Sequence, residues 1–157
     1  MRTQQEVLAI YDRQVDTVYR VCYAFMKNKA EAEDMTQETF LRLMTSGKTF
    51  ENERHEKAWL IVTASNLCKD TLKKWWRTHE DIADHQGLVA QEEPDDRVME
   101  AILTLPEDFK SAVYMYYYEG YTTAEIAEHA GCTDSNIRSR LSRARKMLHA
   151  MLGGVRK

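Results

Sequence analysis

Residues that build tight turns are scarce in this sequence. Its 157 residues include only 6 glycines and 2 prolines, while 43% are hydrophobic and 30% are charged. A β fold with many short turns needs glycine where the backbone takes a positive φ, whereas helices have no such need. The composition therefore predicts an all-α protein.

Long apolar runs and paired cysteines are missing as well. No stretch of about 18 apolar residues could span a bilayer, and the N-terminus lacks the apolar core of a signal peptide, so we expect a cytoplasmic protein. Cys22, Cys68 and Cys132 are far apart and show no C-x-x-C spacing. This pattern argues against a disulfide framework or a zinc site, and we interpret the three as small buried hydrophobic residues.

Known catalytic and cofactor motifs are also absent. The sequence contains no G-x-x-x-x-G-K-[ST], no G-x-G-x-x-G and no H-E-x-x-H. Its five histidines are scattered without the spacing of metal ligands. We therefore predict that the protein is not an enzyme and needs no cofactor, metal or small-molecule substrate.

The net charge of −3 conceals a strong pattern along the chain. Residues 133–157 carry seven cationic side chains and one acidic side chain. Residues 42–77 carry eight cationic side chains and four acidic ones. Residues 78–108 between them hold ten acids and one arginine. Two basic segments around an acidic one indicate two polyanion contacts, although ordinary solvated helix faces would look similar.

Hydrophobic periodicity predicts three helices in the first half, at residues 3–27, 30–44 and 56–77, with a loop at 47–55. The stripe of the first helix should be buried; it comprises Leu8, Tyr11, Val15, Val18, Tyr19, Cys22 and Phe25. The inward candidates of the third are Trp59, Leu60, Ala64, Leu67 and Thr71. Trp75 and Trp76 are adjacent in sequence, so both cannot face inward.

Residues 79–97 are acidic, weakly apolar and contain Gly87 and Pro94, which predicts a linker. Beyond it the pattern predicts short helices at 98–104, 107–119, 123–130 and 134–151. Gly120 and Gly131 should end two of them, and Thr133 should cap the last. The architecture is thus two small helical domains joined by a flexible acidic linker.

The last two helices and the turn at Gly131 have the layout of a helix-turn-helix. At 100° per residue, Ile137, Leu141, Ala144 and Leu148 form the inward stripe. The outward arc holds Ser135, Asn136, Ser139, Arg143 and Lys146, with Arg138 and Arg145 on one flank and Arg140 on the other. These side chains suit a major-groove helix, because arginine and asparagine read base edges, and serine or lysine contacts phosphate. The alternative is an amphipathic helix with a basic solvent face.

Two further surfaces stand out in the first half. Asp34, Gln37, Glu38 and Leu41 share one face of the second helix, which is typical of a protein-docking surface but also of a solvated face. The predicted loop and the third helix combine an aromatic side chain with amides and cations, a mixture that suits single-stranded or opened DNA. Its members include Phe50, Asn52, Arg54, His55, Lys57, Lys69 and Lys73.

Three stretches together resemble the extracytoplasmic-function (ECF, group 4) sigma factors of bacterial RNA polymerase. They are AEAEDMTQETFLRL, EKAWLIVTASNLCKDTLKK and LPEDFKSAVYMYYYEGYTTAEIAEHAGCTDSNIRSRLSRARKML. The resemblance implies sigma region 2 at residues 1–78, a linker at 79–97 and sigma region 4 at 98–157. The sequence departs from the family's usual pattern at the KKWWR run and at Phe109 and Lys110.

The resemblance also implies a function and a set of contacts. The protein would bind core RNA polymerase, recognise and melt promoter DNA at stress- or signal-responsive promoters, and be inhibited by an anti-sigma factor that is often membrane-anchored. Asp34, Gln37, Glu38 and Leu41 would contact core polymerase. The −10 element would meet Phe50, Asn52, Arg54, His55, Lys57, Asn66, Lys69 and Lys73. The −35 element would meet Ser135, Asn136, Arg138, Ser139, Arg140 and Arg143.

Two other classes of protein remain as alternatives. A dimeric helix-turn-helix repressor would bind a palindrome without polymerase, and an all-α adaptor would use only protein contacts and show no salt-dependent affinity for DNA.

Overall fold

The computed structural model describes residues 3–78 and 105–152, apart from the side chains at 76–78, 107, 108, 151 and 152. Every element in these two ranges is a helix, which confirms the predicted all-α class. The chain divides into two compact units, Met1–Glu92 and Glu93–Lys157. The predicted linker and the predicted helix at 98–104 lie outside the described residues, as does the side chain of Trp76.

Three helices build the first unit: α1 at Gln4–Met26, α2 at Lys29–Ser46 and α3 at Glu53–Thr78. Thr3 begins α1 with a capping box, in which Thr3 Oγ1 accepts from Glu6 N at 3.1 Å and Glu6 Oε1 accepts from Thr3 N at 2.9 Å. Asn28 Oδ1 caps α2 by accepting from Glu31 N at 3.0 Å. These caps satisfy backbone N–H groups that a helix start leaves unpaired. The first two helices are confirmed within two residues of their predicted ends.

The core of this unit lies where the three helices meet. Val18 and Cys22 of α1, Leu43 of α2 and Leu60 of α3 are all fully buried. Cys68 is buried too, and a hydrogen bond with its thiol lowers the pKa of Cys22. The interpretation of these two cysteines as core residues is confirmed.

Cys132 in the second unit is only half-buried, so the same interpretation was wrong for that residue. It follows Gly131 in a turn, where its backbone N–H donates to Ala127 O at 3.1 Å. Because turns run over the surface, the side chain cannot be enclosed on every side.

A buried carboxylate ties α1 to the first turn of α3. Glu56 is only 5% exposed, and its Oε2 accepts from Arg13 Nη2 at 2.8 Å. Its Oε1 accepts from Arg13 Nε at 3.2 Å and from Gln14 Nε2 at 2.9 Å. The hydrogen bonds to Glu56 raise the pKa of Arg13. A buried charge is tolerated only when it is paired and hydrogen-bonded, so these contacts set the spacing of the two helices.

The N-terminal part of the α1 stripe is more exposed than its period predicts. Leu8 is 54% exposed and Tyr11 is 38% exposed, whereas the buried residues of α1 begin at Ile10 and continue to Met26. Tyr11 packs its ring against Phe40 of α2 with centroids 4.9 Å apart, which covers part of the ring. An amphipathic stripe is buried only where another helix lies over it, and the stripe extends beyond that contact.

The prediction for α3 was wrong at its beginning and for part of its inward face. The helix begins at Glu53 rather than at residue 56, because Asn52 caps it: Asn52 Oδ1 accepts from His55 N at 2.8 Å. Leu60 and Ala64 are fully buried as predicted. The other inward candidates, Trp59, Leu67 and Thr71, are half-buried, as is Trp75.

The second unit contains α4 at Glu107–Val113, a π-helical turn at Tyr114–Tyr118, α5 at Thr123–Ala130 and α6 at Asp134–Leu152. Its core includes Val113, Met115, Ile126 and Ile137, each at most 1% exposed. The predicted helix at 107–119 is confirmed as helical to Tyr118, but its second half is π-helical: Glu119 N donates to Tyr114 O, five residues back, at 3.2 Å. Gly120 then turns the chain at φ 77°. Within 3–78 and 105–152, no helix is both long enough and apolar enough to cross a bilayer.

Glu56→Ala should lower the free energy of unfolding of the first unit by about 1–3 kcal/mol, because it leaves the buried amide of Gln14 without its acceptor. Unfolding in urea, followed by tryptophan fluorescence, measures this unit, since all three tryptophans lie in it.

Glu53→Ala is the matched control. The Glu53 side chain is 74% exposed and its Oε2 lies 3.5 Å from Arg13 Nε, so its loss should cost less than about 1 kcal/mol. Equal losses in the two variants would contradict the structural role assigned to Glu56.

Candidate nucleic-acid and protein interfaces

The two faces of α2 differ sharply in exposure. Asp34, Gln37 and Leu41 are exposed and Glu38 is half-buried. The opposite face is at most 5% exposed and comprises Ala32, Thr36, Thr39, Phe40 and Leu43. The structure therefore brings the four predicted docking residues together on one outer surface of the helix.

Two threonines allow the inner face of α2 to pack closely despite their polarity. Thr36 Oγ1 donates to Ala32 O at 2.8 Å, and Thr39 Oγ1 donates to Met35 O at 2.8 Å. Both hydroxyls are thus satisfied within the helix, which removes the penalty for burying them. On the outer side, Leu41 is 54% exposed and Met44 is 40% exposed. Sequence reasoning did not single out Met44, although it lies three residues beyond Leu41.

The connection from α2 to α3 covers residues 47–52 and is shorter than the loop predicted at 47–55. Gly47 ends α2 at φ 70°, and Asn52 begins α3. Between them, the Phe50 ring lies 5.8 Å from the ring of His55 and 5.8 Å from that of Trp59. His55 Nδ1 accepts from Glu51 N at 3.3 Å. Asn52 and His55 are therefore partly engaged in holding this connection.

A recess of about 330 Å³ lies between the end of α2 and the outer side of α3. Asn66 and Asp70 of α3 line it together with Arg42 of α2 and the half-buried Trp59. Among the remaining predicted −10 residues, Arg54 and Lys73 are exposed, and Lys57 and Lys69 are half-buried. The structure thus places Asn66 beside an aromatic ring and a cation, a combination that can hold an unpaired base.

A second recess, of about 410 Å³, lies between α1 and the connection. Phe50 and Lys48 line it from the connection, and Arg13 and Glu6 line it from α1. Phe50 therefore faces a different recess from Asn66. The predicted −10 residues extend from Phe50 in the connection to Lys73 near the end of α3, and they do not all line one recess.

The helix-turn-helix of the second unit consists of α5, the turn at Gly131 and α6. Gly131 takes φ 76°, a conformation that glycine adopts without strain, and Thr133 Oγ1 accepts from Asn136 N at 3.0 Å. Ile137, Leu141 and Ala144 are at most 2% exposed. The predicted inward stripe and cap of α6 are confirmed, except that Leu148 is half-buried.

The predicted −35 residues project outward from this helix. Arg140 is half-buried, and the others are exposed: Ser135, Asn136, Arg138, Ser139 and Arg143. Arg138 Nη1 lies 3.0 Å from Asp134 Oδ2, an i, i+4 pair that restrains the guanidinium. The helix therefore presents several polar donors along the surface opposite its core.

One contact in this unit joins residues that the sequence did not connect. Arg145 Nε donates to Tyr117 Oη at 3.0 Å, and this hydrogen bond raises the pKa of Arg145. Tyr117 belongs to the π-helical turn, 28 residues earlier in the chain. The sequence placed Arg145 on one flank of the outward arc of α6 but did not single out Tyr117, because a helical period contains no information about partners on another element.

Two family profiles match the chain. The one described as Sigma-70 region 2 matches residues 10–78, and the one described as Sigma-70, region 4 matches residues 95–148. The matched segments contain all the described helices except the ends of α1 and α6. They occur in the order in which the two units follow each other in the chain.

Curated relatives are similar along nearly the whole chain. The chain is 26% identical over 162 residues to the ECF RNA polymerase sigma factor SigW of Bacillus subtilis, covering 91% of this chain and 87% of SigW. It is 29% identical over 154 residues to SigL of Mycobacterium tuberculosis, with coverage of 92% and 87%. It is 33% identical over 156 residues to BldN of Streptomyces coelicolor, but spans only 59% of BldN.

Two solved structures share the fold. The sigma factor RpoE, crystallised with the anti-sigma factor NepR from Bartonella quintana, has a TM-score of 0.69 at 24% identity, covering 98% of both chains. CnrH, solved with the cytosolic domain of CnrY, has a TM-score of 0.68 at 20% identity, covering 98% of this chain and 92% of CnrH.

Asn52→Ala should destabilise the first unit by about 1 kcal/mol in the absence of any ligand, because it removes the N-cap of α3. Asn52→Asp keeps an oxygen that can accept from His55 N and should retain the stability. Urea unfolding monitored by tryptophan fluorescence compares the variants. If the alanine and aspartate variants lost the same free energy, Asn52 would not act as a cap.

Proposed function

The chain belongs to the extracytoplasmic-function group of the sigma-70 family, the RNA polymerase sigma factors, and from this premise we propose how its two units divide the work. The protein directs core RNA polymerase to promoters and initiates transcription there. In our proposal, the first unit binds core polymerase and the melted −10 element, and the second binds the −35 element. The main support is that an exposed docking face and a basic helix-turn-helix occur in separate units of one chain.

We assign core-polymerase binding to the outer face of α2. Asp34, Gln37 and Glu38 supply polar groups around Leu41, whose apolar side chain is 54% exposed. An exposed apolar side chain within a polar rim is the arrangement of a protein interface, because its burial releases water while the rim sets orientation. The rigidly packed inner face of α2 holds this surface in place.

We assign capture of the −10 element to the connection and the outer side of α3. Bases that leave the duplex lose stacking, which costs a few kcal/mol and must be offset by aromatic and cationic contacts. Phe50 and the recess beside Asn66 offer such contacts. The other proposed −10 residues are Asn52, Arg54, His55, Lys57, Lys69 and Lys73.

We assign the −35 element to α6, which would lie in the major groove as the second helix of a helix-turn-helix. Arg143 and Asn136 have the donor patterns for guanine and adenine edges. The other proposed −35 residues are Ser135, Arg138, Ser139 and Arg140.

Polymerase would turn two weak contacts into one strong one. Each unit is small, and the acidic segment at 78–108 opposes binding of the free chain to DNA. When core polymerase holds both units, binding of one raises the effective concentration of the other at its own element. The protein therefore acts by binding alone, and we expect it to work in the cytoplasm, where bacterial transcription takes place.

An anti-sigma factor is the expected regulator. The fold is shared with RpoE and CnrH, which were solved with the anti-sigma factor NepR and with the cytosolic domain of CnrY. We propose that a protein of this kind, often membrane-anchored, covers the exposed surfaces of this chain until a stress or signal releases it.

Run-off transcription with core RNA polymerase on a promoter library tests the proposal directly. We expect transcripts only when the purified protein and core enzyme are both present, and we expect a shared −35 and −10 pair in the selected templates. Binding to a palindrome without polymerase would instead indicate a repressor and would contradict the proposal.

Leu41→Asp should weaken core-polymerase binding about fivefold or more, since it places a charge in the apolar centre of the proposed interface. Leu8→Asp is the matched control, because Leu8 is equally exposed, at 54%, but lies on α1. Binding is measured by fluorescence anisotropy of labelled protein with core enzyme. An equal effect of both substitutions would contradict the assignment to the α2 face.

A further inference from the structure

The second unit contains an open groove of about 770 Å³ that the assigned −35 residues do not fill. One side is formed by α6, through Arg138, Leu141 and Arg145. The other is formed by the residues that lead into α5, including Thr122, and by Tyr116 of the π-helical turn. Among the described residues, the only charged side chains that line the groove are the two arginines. Its lining therefore favours an anionic ligand.

The arginines share one flank of α6. They are seven residues apart, which is two helical turns, and about 10 Å separates them along the axis. Asp134 lies beside Arg138 and partly offsets its charge. No carboxylate in the described part of the chain pairs with Arg145. Its hydrogen-bond partner there is the hydroxyl of Tyr117. Arg145 is therefore the stronger anion-binding group of the two.

Tyr117 determines which part of the Arg145 guanidinium faces the ligand. The hydrogen bond to Tyr117 Oη uses Nε and leaves both Nη groups without an acceptor among the described residues. Tyr117 itself is held by edge-on packing against Tyr116, with ring centroids 4.9 Å apart. The turn behind them is anchored by buried Tyr114, whose Oη donates to Glu119 Oε2 at 2.8 Å. An arginine fixed at Nε presents a two-pronged donor that suits a phosphate.

The position of the groove identifies the source of the phosphate. In a bound helix-turn-helix, the second helix occupies the major groove and the first helix crosses the sugar-phosphate backbone. This groove lies between those two helices, at the start of α5, where a backbone strand would pass. A DNA strand therefore fits the groove better than an acidic peptide, which nothing in the helix-turn-helix geometry would bring to this place.

We propose that Arg145, positioned by Tyr117 and assisted by Arg138, holds the phosphate backbone of the DNA strand that borders the −35 element. The inference rests on the proposed binding of the −35 element by α6. It adds a contact that supplies affinity and register but reads no base. Arg145 is the contacting residue and Tyr117 is a positioning residue.

The test uses the full chain assembled with core polymerase and two duplexes: a promoter selected from the library, and the same promoter with a scrambled −35 element. Arg145→Ala should weaken binding to both duplexes by the same factor. It should also make the slope of log K against log salt shallower by about 0.9, which corresponds to one lost phosphate contact. The affinity at 50 mM salt divided by the affinity at 200 mM salt should therefore be about three- to fourfold smaller than for the wild type. Arg145→Lys should recover most of the slope.

Two comparison variants separate the roles. Arg143→Ala should weaken only the intact promoter if that side chain reads a base. Tyr117→Phe keeps the ring and loses the hydroxyl. It should weaken binding to both duplexes, as Arg145→Ala does, but by a smaller factor. Replacing single phosphates with neutral methylphosphonates should identify one position that matters to the wild type and not to Arg145→Ala.

Several results would overturn the inference. An unchanged salt slope in Arg145→Ala, or a loss confined to the intact promoter, would show that Arg145 does not bind backbone phosphate. A loss of affinity for a protein partner with DNA binding unchanged would assign the groove to an acidic peptide. An unaltered Tyr117→Phe would remove the positioning role. If the wild-type complex did not distinguish the two duplexes, the proposed −35 function itself would fail, whatever the variants did.

Discussion

The hydrogen-bonded carboxylate of Glu56 is the constraint on which the first unit depends. It lies at the first turn of α3 and accepts three hydrogen bonds from Arg13 and Gln14 of α1. A buried charge has few alternative arrangements, because any shift of one helix would leave a donor or acceptor unpaired. The contact thereby holds the first turn of α3 against α1, close to the connection that carries Phe50. The proposed −10 surface therefore begins beside this buried carboxylate.

The proposed binding surfaces of both units follow the same construction. In α2 and in α6, one face is almost fully buried and holds the helix in a single orientation, while the opposite face carries the residues proposed to bind partners. Each small unit needs most of its apolar residues for its own core, so few large apolar side chains remain at the surface. The exposed exceptions include Leu41 and Met44 on the proposed docking face of α2, and Tyr116 and Tyr117 beside the proposed phosphate groove.

Much of the fold could be predicted from periodicity, and the errors have identifiable physical causes. Helices α5 and α6 agree with their predicted bounds to within one residue, because a full apolar stripe and strong caps coincide there. The beginning of α3 was missed because Asn52 caps it through a side chain that looked like part of a loop. The burial of Leu8 was overestimated because a stripe in the sequence does not indicate where the covering helix ends.

The sequence by itself determined the helical class, the two basic segments, and which side chains of α2 and α6 point away from the core, because these properties depend on local spacing. Only the tertiary structure decided which distant residues meet. Arg13 reaches Glu56 across 43 positions, and Arg145 reaches Tyr117 across 28. The direction of a side chain follows from its place on its own helix, but its partner depends on how helices pack, and that is set by the sum of many contacts.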